Sequence, residues 1–263
     1  ARVNHHFNPA YLTIFANLVQ SDFRRRYLGT YFGIFWAFAA PLSTIAVLLF
    51  VFNVGFRSGP VNGVSFDLWL VSGLIVWFYI SDAIVSGANS ITEYSFLVKK
   101  MQFPTELLPI VKISSSLYVR LVNLALLVGL FIYHGRYPNL FWLQLFYYLI
   151  ALVSSVLAVA MVSAVIQVFF RDFQGVIAIL MQIGLWGTPI LWDANMLPER
   201  FAPMIKLNPA SYVVQGYRDS LLFDIWFFDR PVQTAYFWAV TIVILILGFY
   251  VFKRAKGDFA DVL

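Results

Sequence analysis

Residues 140–170 read LFWLQLFYYLIALVSSVLAVAMVSAVIQVFF, and this stretch of 31 residues contains no charged side chain. A helix rises about 1.5 Å per residue, so about 20 apolar residues cross the ~30 Å hydrocarbon core of a bilayer. The stretch is long enough to cross with some tilt. It therefore predicts a transmembrane helix.

Five further apolar runs flank this stretch. In chain order, the predicted spans cover residues 33–56, 68–91, 107–133, 140–170, 175–192 and 234–252. We therefore predict an all-α polytopic membrane protein with six transmembrane helices, organised as a single transmembrane domain over residues 1–263.

The composition agrees with a membrane protein and excludes several other classes. Of 263 residues, 61% are hydrophobic and 12% are charged, whereas soluble domains carry about a quarter charged residues. This charge content argues against a water-soluble enzyme, and the apolar content argues against disorder. The absence of cysteine excludes disulfides, thiolate catalysis and cysteine-ligated zinc.

The positions of lysine and arginine predict the orientation, because cytoplasmic loops are enriched in these residues. With the N-terminus inside, the short outer loops carry only Arg57 and Arg136. We therefore predict that both termini are cytoplasmic and that the net charge of +5 reflects span flanks rather than nucleic-acid binding. The basic residues on the inner side are Arg2, Arg24, Arg25, Arg26, Lys99, Lys100, Arg171, Lys253, Arg254 and Lys256.

Residues 10–30 have a helical pattern but are too polar to span. Apolar side chains recur at spacings of three and four, at Leu12, Phe15, Val19 and Phe23. This pattern predicts an amphipathic helix in the membrane interface, with Arg24, Arg25 and Arg26 at the headgroups. The helix is interpreted either as an anchor for the first span or as a docking surface for a cytoplasmic partner.

The segment 95–106 between the second and third spans mixes charges with an aromatic residue and a proline. Its chemistry favours equally a plain turn and a short cytoplasmic helix that inserts Phe103 into another protein. The residues concerned are Lys99, Lys100, Phe103, Pro104 and Glu106.

Before the last span, Pro198, Pro203 and Pro209 divide an apolar stretch into pieces too short to cross a bilayer. Irregular backbone at membrane depth is tolerated only inside protein or beside a water-filled cavity. We predict short re-entrant helices over 196–219 that act as an outer gate. Two amphipathic helices lying on the surface are the alternative.

Two spans carry polar stripes. Asp82 lies on one face of the second span, and Lys112, Ser116 and Arg120 share a face of the third. Because charges within a bilayer are costly, we predict an ion pair between Asp82 and Arg120, with a polar lining for cargo as the alternative. Lys112 is expected to reach the headgroups.

The motifs of several enzyme and binding classes are absent. The sequence has no GxxxxGK[ST] phosphate-binding loop and no HExxH, and its three histidines are His5, His6 and His134. We therefore predict no metal site, no hydrolytic triad and no cofactor bound by this chain. Nucleic-acid binding is not predicted either, since the cations lie on both sides of the membrane.

Four short motifs occur in an order that resembles the permease subunit of ABC-2 type transporters. The order is most similar to the branch that exports O-antigen, capsular polysaccharide or teichoic acid. The motifs are the basic DFRRRY at 22–27 leading to Leu28, Gly29, Gly33, Trp36 and Pro41; Phe103, Pro104, Glu106, Leu108 and Pro109; Phe170, Arg171, Asp172 and Phe173; and Asn208 and Pro209 followed by Gly216, Tyr217 and Arg218.

The resemblance implies a homodimer in the cytoplasmic (inner) membrane with a separate ATPase subunit on each copy. It implies no enzyme activity in this chain, because ATP and magnesium belong to the partner, and a polyprenyl-diphosphate-linked glycan as cargo. Membrane lipid is the other implied contact. The implied coupling residues are Lys99, Lys100, Phe103, Pro104, Glu106, Arg171 and Asp172, and the implied gate residues are Asn208, Pro209, Tyr217 and Arg218.

A sugar path should offer aromatic faces, and four aromatic residues are candidates near the outer half of the second and fifth spans: Trp77, Tyr79, Trp186 and Trp192. An ordinary interfacial aromatic belt is the alternative. Competing functions are an ABC-2 exporter of teichoic acid, capsule or a small molecule, an integral membrane glycan-processing enzyme, and a membrane scaffold.

Overall fold

The computed structural model describes residues 9–27, 31–100 and 104–263. These residues form helices joined by turns, which confirms the all-α class. The helices are α1 (Pro9–Tyr27), α2 (Phe35–Phe50, continued as a π-helix over Val51–Gly55), α3 (Phe66–Ala88), α4 (Ser90–Glu93), α5 (Ser95–Lys100), α6 (Leu107–Tyr133), α7 (Gln144–Phe169), α8 (Phe173–Gly187), α9 (Ala202–Leu207), α10 (Pro209–Arg218), α11 (Pro231–Ala255) and α12 (Phe259–Val262).

Five of these helices are long and apolar enough to cross a bilayer: α2, α3, α6, α7 with its preceding turn, and α11. The chain is therefore a polytopic membrane protein. Helix α8, at the position of the predicted fifth span, has 15 residues and a length of about 22 Å, which is short of a full crossing. It ends at Gly187 because Pro189 disfavours a helical conformation at Thr188, whose backbone is extended.

Helix α3 is the centre of the bundle, because its sequence is apolar around most of its circumference apart from the face that carries Asp82. It packs against α6, α7, α8 and α10, and 78% of its apolar window is buried. Where α8 crosses it, the ring of Trp77 lies directly over Gly184, so a side chain at Gly184 would collide with the indole.

Helix α2 contrasts with α3, since only 6% of its apolar window is buried within one chain. Large apolar side chains such as Leu42, Val47, Phe50 and Val54 are exposed along it. Burial within this chain therefore does not account for the apolar character of α2.

The described helices begin and end on two opposite sides of the molecule. The α1 side holds α1, α4, α5, residues 104–106, the turn after α7 and α12. Phe259 of α12 is fully buried in a small cluster with Ile91, Val168 and Phe252. Glu106 accepts a hydrogen bond from the Lys256 ammonium at 2.9 Å, so the C-terminal segment contacts the beginning of α6.

The opposite side holds the loops before α3 and α7 and the short helices α9 and α10. Prolines start both helices, Pro203 in the first turn of α9 and Pro209 at the first position of α10. Asn208 caps α10 by accepting a hydrogen bond from the Ala210 amide at 3.0 Å. Helix α10 packs against α3, α7 and α11 and lies inside the protein, whereas most described side chains of α9 are exposed.

Candidate functional site

A cavity of about 910 Å³ lies between α1, α2, α3, α6 and α8. It is lined by polar and charged side chains on α1, α3 and α6 and by aromatic side chains on α2 and α3. The polar and aromatic lining includes Arg26, Tyr27, Trp36, Trp77, Tyr79, Asp82, Ser116, Arg120, Asn123 and Gln182. The polar stripes seen in the sequence thus face a common space.

At the α1 side of the cavity, Arg26 forms an ion pair with Asp82. The second oxygen of Asp82 accepts a hydrogen bond from Ser116 Oγ at 2.9 Å, and the Arg26 guanidinium also donates to Ser116 Oγ at 3.2 Å. Three helices are therefore joined by one charged contact. Of the three arginines predicted at the headgroups, Arg24 and Arg25 are exposed, whereas Arg26 reaches into the cavity.

Asp22 anchors α1 on the bundle. Its carboxylate is 1% exposed and lies 2.7 Å from the Lys112 ammonium, and it accepts hydrogen bonds from Ser115 Oγ at 2.6 Å and Tyr94 Oη at 2.9 Å. Burial opposes its ionisation, but the bonds from Lys112 and Ser115 lower the pKa of Asp22 below its usual value. Lys112 also contacts Glu93 at 2.5 Å; its predicted reach to the headgroups is wrong, because two carboxylates hold it in the protein.

Helix α1 packs through a stripe that shares Phe15 and Val19 with the predicted one but also contains polar residues. Phe15, Val19, Asp22 and Arg26 face the bundle, at spacings of four, three and four, while Leu12 is 59% exposed. The predicted helix is present over its described residues, and residues 28–30 lie outside them. Phe23 is half-buried and its ring packs against Tyr118.

The predicted ion pair between Asp82 and Arg120 is wrong. Arg120 donates to the Ile75 carbonyl at 2.7 Å, and its guanidinium lies 4.8 Å from the centre of the Tyr217 ring. Ile75 is seven residues from Asp82, or about 10 Å along α3. The antiparallel register between α3 and α6 thus sets Asp82 opposite Ser116 and leaves Arg120 deeper in the bundle.

The four aromatic candidates for a path divide into two groups. Trp77 and Tyr79 line the cavity, and the Tyr79 hydroxyl donates to the Ile113 carbonyl at 3.4 Å. Trp186 is 58% exposed and does not line the cavity. Trp192 donates to the Trp186 carbonyl at 2.8 Å and lines a separate pocket of about 420 Å³ beside α9.

Arg218 closes the bundle on the opposite side. It is 1% exposed, and its guanidinium donates to the carbonyls of Pro189 at 2.6 Å, Ile190 at 3.0 Å and Trp69 at 3.2 Å. The same group lies 3.6 Å from the centre of the Trp69 ring. Arg218 therefore binds the carbonyl groups of Pro189 and Ile190, which follow the end of α8. Through the Trp69 carbonyl it also joins α10 to α3.

The two residues before Arg218 also have contacts that explain their types. A side chain at Gly216 would meet the Tyr148 ring at 1.9 Å, so only glycine permits this approach of α10 to α7. Tyr217 is fully buried and covers the Arg120 guanidinium. Asn208 links the start of α10 to the turn after α8, because its amide donates to Thr188 Oγ1 at 2.9 Å.

The model of the ABC-2 type transporter family matches residues 13–222, which is most of the chain and includes every helix that lines the cavity. The chain belongs to the ABC-2 type transporter family. It is a membrane-spanning transport subunit.

Three curated relatives of this ABC-2 subunit share nearly its full length, and each is named O-antigen export system permease protein RfbA. The protein from Myxococcus xanthus is 26% identical over 255 residues, covering 95% of both chains. Two proteins from Klebsiella pneumoniae are 22% and 23% identical over 259 residues, covering 98% of both chains.

The predicted coupling residues of this ABC-2 subunit fall mainly on its α1 side. Lys99, Arg171 and Asp172 are exposed, and Pro104 and Glu106 are half-buried. Phe103 lies outside the described residues, as does the side chain of Lys100. The helix at the start of this segment is α5, and it exposes another aromatic residue, Phe96, whose side chain is 52% accessible.

Sequence reasoning missed several residues of the site. Asp22 was not identified as a site residue because a basic run follows it. Phe96 was not identified because the proline motif that follows α5 was preferred as the docking segment. Trp36 and Gln182 lie on spans whose lining faces have no polar stripe. The signal available in the sequence was the spacing of Asp22 and Arg26 by one helical turn, which places them on one face.

Proposed function

We propose that this chain is the permease subunit of an ABC exporter that moves a lipid-linked, O-antigen-like polysaccharide across the cytoplasmic membrane. The observation that carries the proposal is the match to O-antigen export permeases over nearly the whole of both chains. The cavity supports it, because Trp36 offers a face for sugar rings while Asn123 and Gln182 offer amides for their hydroxyls.

A second copy of this chain is the proposed partner within the membrane. Helix α8 exposes Val176, Ile179, Leu180 and Ile183 along one face, and α2 is exposed along most of its length. A helix of about 22 Å is poorly matched to a ~30 Å hydrocarbon core, so contact with protein suits α8 better than contact with lipid. Packing of two copies through α2 and α8 would enclose the cavity.

A separate ATPase subunit is the proposed source of energy, bound on the α1 side with its own ATP and magnesium. The sequence contains no phosphate-binding loop. Helix α5 exposes Phe96 and Lys99 on that side, and the turn at Arg171 and Asp172 is exposed beside it. An aromatic residue with flanking charges suits insertion into a groove of a soluble domain.

The proposed orientation puts the α1 side and both termini in the cytoplasm. The exposed basic residues of the described chain on that side are Arg24, Arg25, Lys99, Arg171, Lys253, Arg254 and Lys256. An excess of lysine and arginine on the cytoplasmic face is the usual rule for short loops.

Co-purification with the ATPase subunit of the same genome tests the coupling part of the proposal. We expect Phe96→Asp and Phe103→Asp to release the ATPase, because each places a charge in an apolar contact. Tyr137→Asp is the matched control, since Tyr137 is 71% exposed on the opposite side. Retention of the ATPase by both phenylalanine variants would contradict the proposed docking surface.

Glycan export in cells tests the transport part. Deletion of the chain should abolish the surface polysaccharide and leave lipid-linked glycan inside. Trp36→Ala should reduce export with the subunit still assembled, because Trp36 lines the cavity and is 54% exposed, whereas Trp192→Ala, outside the cavity, should not. Unchanged surface glycan in the deletion strain would refute the proposed cargo.

A further inference from the structure

Arg120 is a buried charge with few polar partners. It is 1% exposed near the middle of α6, and its partners are the Ile75 carbonyl and the face of Tyr217. Its Nε and second Nη atoms have no hydrogen-bond partner, and no ion pair to Arg120 forms among the described residues. Intramembrane cations are costly and normally paired, so a neutral side chain would hold Ile75 at lower cost.

Arg218 provides an internal comparison. It is buried to the same extent, but all three nitrogens of its guanidinium group donate to carbonyl oxygens. It also lies away from the cavity, whereas Arg120 lines it. A structural arginine in this fold is therefore fully hydrogen-bonded, and Arg120 is not.

The electrostatics of the cavity favour an anion. Its lining contains Arg26, Asp82 and Arg120 as charged groups. Asp82 offsets Arg26 through their ion pair, so Arg120 leaves the cavity positive. A volume of about 910 Å³ is in the range of pockets that hold small ligands.

We propose that Arg120 binds a phosphate or diphosphate group of a lipid that enters this cavity. A guanidinium with two nitrogen atoms that have no hydrogen-bond partner suits phosphate oxygens. It binds them through charge-assisted and often bidentate hydrogen bonds. The inference rests on the proposed function, because it assigns Arg120 to the anionic end of a lipid-linked cargo.

Arg26 supplies a first step to this site. Its partner Asp82 lies seven residues along α3 from Ile75, the partner of Arg120, a separation of about 10 Å. An anion that enters from the α1 side reaches Arg26 first. When the anion moves on, the Arg26 guanidinium pairs again with Asp82. Arg120 then holds the anion at the depth where hydrocarbon surrounds the bundle.

Binding of dansyl-labelled undecaprenyl diphosphate to the chain in complex with its ATPase, in phosphatidylcholine nanodiscs, tests the proposal. We expect Arg120→Gln to raise the Kd at least tenfold and Arg120→Lys to raise it less, because lysine keeps the charge but not the planar fork. Arg136→Gln is the matched control, since Arg136 also donates to a carbonyl, that of Leu222 at 3.1 Å, outside the cavity. Its Kd should not change.

Two unlabelled competitors separate the sources of the phosphate. Undecaprenyl diphosphate should displace the probe from the wild-type complex, and undecaprenol, which has no phosphate, should not. Displacement by phosphatidylglycerol at the same concentration would support the phosphate site and assign it to membrane lipid. Equal displacement by undecaprenol would overturn the proposal. This comparison uses only the wild-type complex, so misfolding of a variant does not affect it.

An unchanged Kd in folded Arg120→Gln would also overturn it. The binding assay contains no glycan, so its result is separate from the proposed function, which fails if cells lacking the chain still export polysaccharide.

Discussion

Arg26 of α1 and Asp82 of α3 form an ion pair across 56 positions of the sequence. Ser116 of α6 bonds to the same carboxylate, so an element outside the bundle is joined to two helices of the cavity wall. The pair therefore ties the end of α1 to the part of α3 that lines the cavity.

Removing one partner of this pair should destabilise the protein more than removing both. The two side chains are 29% and 36% exposed, so we expect Arg26→Gln and Asp82→Asn each to cost about 1–3 kcal/mol, below the cost for a fully buried pair. The double variant should lose less than the sum. Unfolding in detergent measures this, with the exposed Arg24→Gln as control; strictly additive losses would contradict the pairing.

Gly216→Ala should reduce folded yield sharply, because the new methyl group would lie 1.9 Å from the Tyr148 ring. The expected loss is about 1–3 kcal/mol or more, as for other overpacked sites. Gly129→Ala is the control, since nothing lies within 4 Å of that position in α6 and alanine favours helix. Size-exclusion profiles and thermal midpoints compare the two, and equal behaviour would argue against close packing of α10 on α7.

Phe259→Ala should release the C-terminal segment, whereas Lys256→Ala should have little effect. Phe259 is fully buried, and truncation of a buried phenylalanine costs about 3–5 kcal/mol. The Lys256–Glu106 pair is 40% and 30% exposed, and exposed pairs contribute about 0–1 kcal/mol. Hydrogen exchange over residues 253–263 measures both. A larger effect of Lys256→Ala would show that the ion pair, not the apolar contact, holds this segment.

Docking of α1 should weaken at low pH through Asp22. Its pKa is lowered in the folded protein, so its stabilising contribution is complete above the unfolded value of about 3.9 and is lost as the pH falls through the folded value. Asp22→Asn should weaken docking at pH 7 and flatten the acid limb. Hydrogen exchange of residues 15–27 from pH 7 down to about pH 2 provides the readout, because the loss continues below the unfolded pKa, with Glu199→Gln on the opposite side as control.

The helices of this protein were predictable because each is encoded locally. Residues 107–133 were predicted to the residue as α6, since length and apolarity determine a span without reference to its neighbours. Pro203 and Pro209 likewise marked the starts of α9 and α10. The fifth span was predicted to Trp192 but ends at Gly187; the apolar residues after it are buried in a turn whose carbonyls Arg218 binds, a contact made 28 residues or more away in sequence.

The candidate site was predictable in part. Helical periodicity correctly put Ser116 and Arg120 on one face of α6 and identified Asp82 as a polar residue of α3. It did not identify what each face contacts, because that depends on the axial offset of two antiparallel helices. Asp82 and Ile75 lie two turns apart on α3, whereas their partners Ser116 and Arg120 lie one turn apart on α6.

The sequence by itself determined the class of protein, the position of most of its apolar helices and the absence of a phosphate-binding loop, since these depend on composition and local spacing. Only the tertiary structure decided that Arg26, from a helix outside the spans, neutralises Asp82 and that Arg120 is left with free donors beside a cavity. The physical reason is that a charge within a membrane protein is assigned its partner by the packing of whole helices, and packing is a property of all the spans together.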